Sequence, residues 1–297
     1  MSGVMEGPVR SNRRIQPDTA TAEREFTFTH ADFERIRALV YEHAGIHLSE
    51  TKSNLVYGRL SRRLRVLQLA RFDDYLGYLQ EHIETELTEF LNAITTNLTS
   101  FFRENHHFEA LRNQVLPELM NARRASRRLR LWSAGCSTGE EPYSLAMVLC
   151  ETVLDKPGWD VKLLATDLDT NVLETARAGI YAADRVRTVS RERLRRFFRR
   201  GVGANAGRVQ VVAELPRLIA FNQLNLMETW PMRGPIDVIF CRNVVIYFDK
   251  PTQARLFERF ADLLSDDGRL FVGHSETLNK VTDRFELVGQ TMYRKRS

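Results

Sequence analysis

The chain has 297 residues, 43% hydrophobic and 27% charged, with a formal net charge of +5. That length accommodates a catalytic domain plus a smaller unit, and the composition excludes a disordered chain. No apolar run approaches the roughly 20 residues of a membrane span, and so mild a positive excess does not call for nucleic acid.

Residues 1–27 are polar, lack the apolar centre of a secretory signal, and read as a disordered tail. Residues 28–120 read as an all-helical domain. Apolar side chains recur at helical spacing in Phe33, Ile36, Leu39 and Val40, in Leu55, Leu60, Leu64 and Leu67, and in Leu87, Phe90, Leu91 and Ile94. Residues 121–128 are small, polar and basic and read as a linker. From 129 to 297 the rhythm changes to strands alternating with helices: strands at 129–133, 161–166, 236–241 and 269–273, helices at 140–154, after Asp169 and at 252–264, and a hairpin around Gly289. This predicts an α/β domain with a parallel, Rossmann-like sheet. Residues about 181–219 break the alternation with a basic helix (191–200), a Gly-rich turn (201–207) and a strand (208–212), and read as a small inserted β-subdomain.

Cys136, Cys150 and Cys241 are odd in number and widely spaced, which argues against a disulfide framework or zinc site and fits a reducing cytoplasm. No metal is expected; His106 and His107, adjacent on a helix, point in different directions. Without a secretory signal the Asn97-Leu98-Thr99 sequon carries no weight.

In a doubly wound sheet the ligand sits beyond the carboxyl ends of the strands. The turn after the first strand, Gly135-Cys-Ser-Thr-Gly139, lacks the lysine of a P-loop and the GxGxxG spacing of a dinucleotide site. Glu140 and Glu141, following it, would repel a pyrophosphate at the helix start. A cationic ligand without phosphate suits the same place, and S-adenosylmethionine (SAM) is such a ligand. Asp167, ending the second strand, is placed for ribose hydroxyls, and Asp169 reads as a helix N-cap.

Thr96-Asn-Leu-Thr-Ser-Phe-Phe-Arg-Glu104, Ser137-Thr-Gly-Glu-Glu-Pro-Tyr-Ser144, Thr166-Asp-Leu-Asp169, Phe240-Cys-Arg-Asn-Val-Val-Ile-Tyr-Phe248 and Gly273-His-Ser-Glu276 together resemble the CheR family of chemotaxis receptor protein-glutamate O-methyltransferases. The resemblance spans about residues 28–293. It implies a class I methyltransferase sheet that binds SAM and esterifies receptor glutamates, with Arg103 and Tyr247 at the reacting centre. It further implies that Asn97, Thr99, Arg103, Glu141, Asp167, Asn225, Leu226, Arg242 and Asn243 hold the cofactor, with Glu141 at its amino end. The helical domain would dock acidic receptor helices through Arg59, Arg62, Arg63 and Arg65. The first three fall within about a 100° arc of one helix. The β-subdomain would capture a receptor C-terminal peptide, the strand at 208–212 supplying an edge. Nothing calls for an obligate dimer. A non-catalytic SAM-binding sensor on the same fold is the alternative, and the intact Arg103 and Tyr247 argue against it.

Overall fold

The computed structural model describes residues 24–296. Four helices, α1 (His30–Ala44), α2 (Ser53–Leu67), α3 (Phe72–Glu81) and α4 (Ile83–Ile94), build the first unit. Thr29 and Asp32 form a capping box that starts α1, and Gly45 ends it at φ 68°. Ile36, Val40, Leu60, Leu64, Phe72 and Phe90 interlock in one core and are fully buried, each contributing about 1.5–3 kcal/mol. Beneath them lies a charge. Glu86, 2% exposed, accepts from Arg63 Nε at 2.6 Å and Nη2 at 2.5 Å and from the Tyr75 hydroxyl at 3.1 Å.

Two expected boundaries move. Residues 1–23 of the expected tail lie outside the described residues, but Phe26 is buried in the α1–α4 core and Glu25 pairs with Arg65 on α2 at 2.5 Å. Ordered chain therefore begins upstream of residue 28. At the other end, α5 (His106–Ala110), a π-helical turn (Leu111–Val115) and α6 (Leu116–Ala122) continue the helical pattern, yet Phe101, Phe108, Leu111 and Leu119 join the core of the sheet instead. Periodicity reports a helix and its apolar face, not the neighbour that covers it. The expected linker is short and pinned, because Arg123 reaches Asp237 at 3.0 Å and Asp267.

The sheet alternates as expected: β1 (Arg128–Ala134), α7 (Glu140–Thr152), β2 (Asp160–Asp167) and α8 (Thr170–Ala178). The insert follows with β3 (Ile180–Ala182), α9 (Arg191–Phe197), β4 (Phe198–Arg200) and β5 (Arg208–Val211). Then come β6 (Ile219–Gln223), which the sequence pattern did not reveal, β7 (Ile236–Cys241), α10 (Lys250–Leu263), β8 (Leu264–Val272), β9 (Phe285–Gly289) and β10 (Met292–Lys295). Seven strands pair in the order β6-β2-β1-β7-β8-β10-β9. The first five are mutually parallel and β10 and β9 antiparallel. Strand order reverses at β1, so the switch-point crevice opens beyond its carboxyl end.

The insert is a separate three-stranded antiparallel sheet ordered β3-β5-β4. This corrects the expected edge: β5 is central, hydrogen-bonded to β3 on one side and β4 on the other, and cannot accept a further strand. β3 and β4 are the outer strands. The helix expected over 191–200 stops at Phe197, because Phe198 and Arg200 pair with β5.

Because Arg63 neutralises a buried carboxylate, Arg63→Ala should lower stability by about 2–4 kcal/mol. Arg62→Ala on the exposed face should change it by less than about 0.5 kcal/mol. Urea midpoints at constant transition slope measure both, and equal shifts would remove the structural role of Arg63.

Candidate active site

One pocket opens at the carboxyl ends of β1, β2 and β7, and its lining includes every residue the sequence assigned to cofactor or catalysis: Asn97, Thr99, Arg103, Glu141, Asp167, Asn225, Leu226, Arg242, Asn243 and Tyr247. The turn after β1 explains how a ligand gains access. Gly135 (φ 82°) and Gly139 (φ 95°) take left-handed backbone, and a Cβ on Gly135 would lie 2.4 Å from Val244. On Gly139 it would lie 2.9 Å from Ala176 on α8. The glycines let the turn close tightly and let α7 and α8 approach.

Two carboxylates form the floor. Asp167 accepts from the Ser137 amide at 2.7 Å and the Asp169 amide at 3.0 Å. Burial nonetheless pushes its pKa up to about 6, against these backbone donors. Glu141 accepts from the Ser133 hydroxyl at 2.7 Å and from Arg242 Nη1 at 3.0 Å. Burial again raises its pKa, opposed chiefly by Arg242. An ionised carboxylate has about four lone-pair sites, so each keeps acceptor capacity for a ligand. Glu140 turns away instead, toward Arg185 of the insert.

The side chains expected to reach the cofactor divide into two groups. Arg242, 6% exposed, spends Nη1 on Glu141 and Nη2 on Glu104 (3.2 Å) and the Arg103 carbonyl. It braces the pocket wall rather than offering a free fork. Asn97 Nδ2 donates to Asp169 at 2.7 Å, and Asn225 Nδ2 donates to the His43 carbonyl at 2.6 Å. Both hold the helical domain onto the sheet. Asp169 is the expected cap of α8, accepting from the Asn171 and Val172 amides, and it also accepts from Thr95. Arg103 and Tyr247 are different. Arg103 donates only to the Leu98 carbonyl at 2.9 Å, with no carboxylate partner among the described residues. Tyr247 is half-buried with its phenol pKa raised by burial, against the nearby charges of Arg103 and Arg59. A protonated phenol and an uncommitted guanidinium thus share one pocket.

Sequence reasoning missed three contributions. Ala44 and Ile46 line the pocket from the end of α1, where no local pattern marks them. Glu104, which joins Arg242 and His274 Nδ1 (2.8 Å), has its pKa lowered to about 2. Burial there works upward, and the hydrogen bond from His274 together with Arg242 overcomes it. His106 and His107 do converge, with rings 4.2 Å apart and ligating atoms within 4.8 Å of each other and of Glu104. The Arg242 guanidinium already occupies that carboxylate, which opposes a cation there.

The docking arginines of α2 are mostly committed. Arg59 donates to the Ile94 and Thr95 carbonyls (2.7 Å to the latter) and to Thr96 Oγ1 at 3.0 Å. Arg63 neutralises Glu86 and Arg65 pairs with Glu25. Among the described residues, Arg62 alone of the four has neither an ion pair nor a side-chain hydrogen bond.

Two family profiles match consecutive segments: "CheR methyltransferase, all-alpha domain" over residues 31–95 and "CheR methyltransferase, SAM binding domain" over 97–294. The division at residues 95–97 coincides with the change of packing core. "Chemotaxis protein methyltransferase 2" of Pseudomonas aeruginosa is 47% identical over 281 residues, covering 93% of this chain and 97% of that one. The chemotaxis protein methyltransferase of Escherichia coli is 47% identical over 266 residues, with 89% and 90% covered. That of Salmonella typhimurium is 48% identical, with 89% of each chain covered. The pocket's acidic floor and glycine turn suit the cofactor this family binds, and the chain belongs to the CheR methyltransferases, the SAM-dependent methyltransferases of chemotaxis.

Proposed function

We propose that this protein transfers the methyl group of SAM to glutamate side chains of chemotaxis receptors in the cytoplasm, forming methyl esters. The observation that carries this reading is the uncommitted guanidinium of Arg103 beside a protonated Tyr247, in a pocket whose lining offers no histidine as base. A free glutamate, with a pKa of about 4.3, is ionised at neutral pH and needs no base. Bound SAM supplies an electrophilic methyl group on a sulfonium. Arg103 orients the incoming carboxylate, and the Tyr247 hydroxyl donates to its second oxygen. Glu141 receives the ligand's amino group and Asp167 its ribose hydroxyls. Alignment of this kind contributes about 7–11 kcal/mol in favourable cases.

The distribution of charge supports an acidic macromolecular partner. Between residues 180 and 217 there are ten arginines, no lysine and three acidic residues, a local net charge of +7 against +5 for the whole chain. The rest of the protein is therefore slightly acidic. Arg185, Arg193 and Arg196 of the insert are paired to Glu140, Glu151 and Asp155. Arg187, Arg191, Arg195, Arg199, Arg200, Arg208 and Arg217 are exposed and form no ion pair among the described residues. Because α2 spends most of its arginines internally, the insert is the stronger acid-complementary surface. A receptor's C-terminal peptide would add to the outer strand β4, which carries Arg199 and Arg200, rather than to β5.

Incubation with methyl-labelled SAM and a receptor signalling fragment, followed by mild alkali, should release label as methanol, and alkali-stable label would overturn the ester. In that assay Arg103→Ala should lose activity on the order of 100-fold, whereas Lys162→Ala, exposed on β2, should match wild type. Removing the receptor's C-terminal peptide should slow methylation at limiting receptor but not at saturation, as loss of effective concentration requires. An unchanged rate at limiting receptor would remove the tether.

Asp167 gives a pH dependence whose sign follows from its raised pKa. Above about pH 6 the folded protein holds a costly buried carboxylate, and acidification relieves that cost as the proton enters. Cofactor binding runs oppositely, because hydroxyl donors need the ionised form. Affinity for S-adenosylhomocysteine, measured by calorimetry, should fall about tenfold by about pH 5, and Asp167→Asn should abolish the dependence.

A further inference from the structure

One buried carboxylate takes no part in the contacts described so far. Glu276 is 4% exposed, yet no arginine, lysine or histidine pairs with it among the described residues. Its partners are backbone amides. Oε2 accepts from Asn243 N at 2.9 Å and from Gly273 N at 2.5 Å, and Oε1 accepts from Ile246 N at 3.3 Å. Its own amide returns to the Gly273 carbonyl at 2.9 Å. Burial raises its pKa against these donors, to which Val244 N is added.

The donors converge because Asn243, at φ 59°, turns the chain left-handed just past β7, so that consecutive amides point inward as an anion-binding nest. The second wall is the end of β8. A Cβ on Gly273 would lie 2.5 Å from Asn243 Nδ2 and 2.9 Å from Glu276 Oε2, so only glycine lets the two loops close on the carboxylate. The nest leads directly into the single 3₁₀ turn Val245–Tyr247. The amides that Glu276 fixes are thus those of the turn that delivers Asn243 and Tyr247 to the pocket.

We infer that Glu276 is a positioning residue for methyl transfer: its carboxylate sets the 243–247 turn and thereby the place of the Tyr247 hydroxyl. The inference rests on the reading that Tyr247 acts at the reacting centre. The charge and both oxygens matter, since a glutamine at this position presents one oxygen and a donor NH₂ to several donors, leaving amides unsatisfied. An aspartate is one methylene too short to span both loops. Glu141 and Asp167 stand on α7 and β2, which Glu276 does not touch, and the Asn243 side-chain amide is turned toward Glu104 (3.5 Å), so the main effect falls on turnover rather than on cofactor affinity.

The test compares wild type with Glu276→Gln, Glu276→Asp and Gly273→Ala in three measurements. Amide ¹H–¹⁵N spectra and S-adenosylhomocysteine affinity need no receptor, and kcat is read in the methanol-release assay. Glu276→Gln should move the Asn243 and Ile246 amide resonances, lower kcat at least tenfold and leave cofactor affinity within threefold; Glu276→Asp should not restore kcat. If Glu276→Gln does not fold, Gly273→Ala, which crowds the same carboxylate, should give the same split. Loss of thermal stability alone, with kcat and the amide resonances unchanged, would overturn the inference. Shifted amides with kcat retained would also overturn it. Failure of wild type to release methanol would instead defeat the glutamate reading and leave the spectral result standing.

Discussion

The Arg242 guanidinium lies where three parts of the chain meet: the segment after the helical domain through Glu104, helix α7 through Glu141, and the end of β7 that carries it. Burying one ion has an idealised cost on the order of 20 kcal/mol, recovered only where opposite charges and hydrogen bonds surround it. Two carboxylates and the Arg103 carbonyl do so here. The cluster has one positive and two negative charges, and Asp167 adds a third negative one. The pocket floor therefore stays electronegative even with an arginine built into its wall, as a cationic cofactor requires. The same contact fixes the backbone of Arg103 while leaving its side chain uncommitted.

This division of labour recurs around the pocket. Asn97 and Asn225 spend their amides on Asp169 and on the end of α1, closing the helical domain against the sheet. Glu276 spends its charge on backbone amides and shapes the opposite rim. What remains for a ligand is a small set of groups with free capacity: two floor carboxylates, one guanidinium and one phenol. A reaction whose nucleophile arrives already ionised needs no more than this, because the barrier is lowered by holding two partners in line, not by moving a proton.

Charge on the outer surface is segregated in a corresponding way. The arginines of α2 are consumed by carbonyls, by Glu86 and by Glu25, whereas the inserted sheet keeps most of its arginines exposed. An exposed guanidinium without a partner carries little folding energy. Seven of them on one small subdomain are therefore better explained by an external acidic partner than by stability.

The sequence by itself determined the two-part architecture, the alternation of strands and helices, the glycine turn and the charged groups that line the pocket. These depend on local periodicity, on residues such as Gly135 that only one backbone geometry tolerates, and on motifs whose order survives without coordinates. Tertiary structure alone decided which core covers the helices after Phe101, that β6 pairs beside β2, and that β5 is a central strand, since each depends on partners distant in sequence. It also decided how polar side chains are used. Arg59, Arg62 and Arg63 look alike on a helical wheel, but one binds carbonyls, one faces solvent and one neutralises a buried acid. Arg242 and Arg103 both read as ligand contacts, yet only the folded chain brings two carboxylates to the first and none to the second. A charged side chain's role is set by the partners within a few ångströms of it, and those are fixed only when the chain is folded.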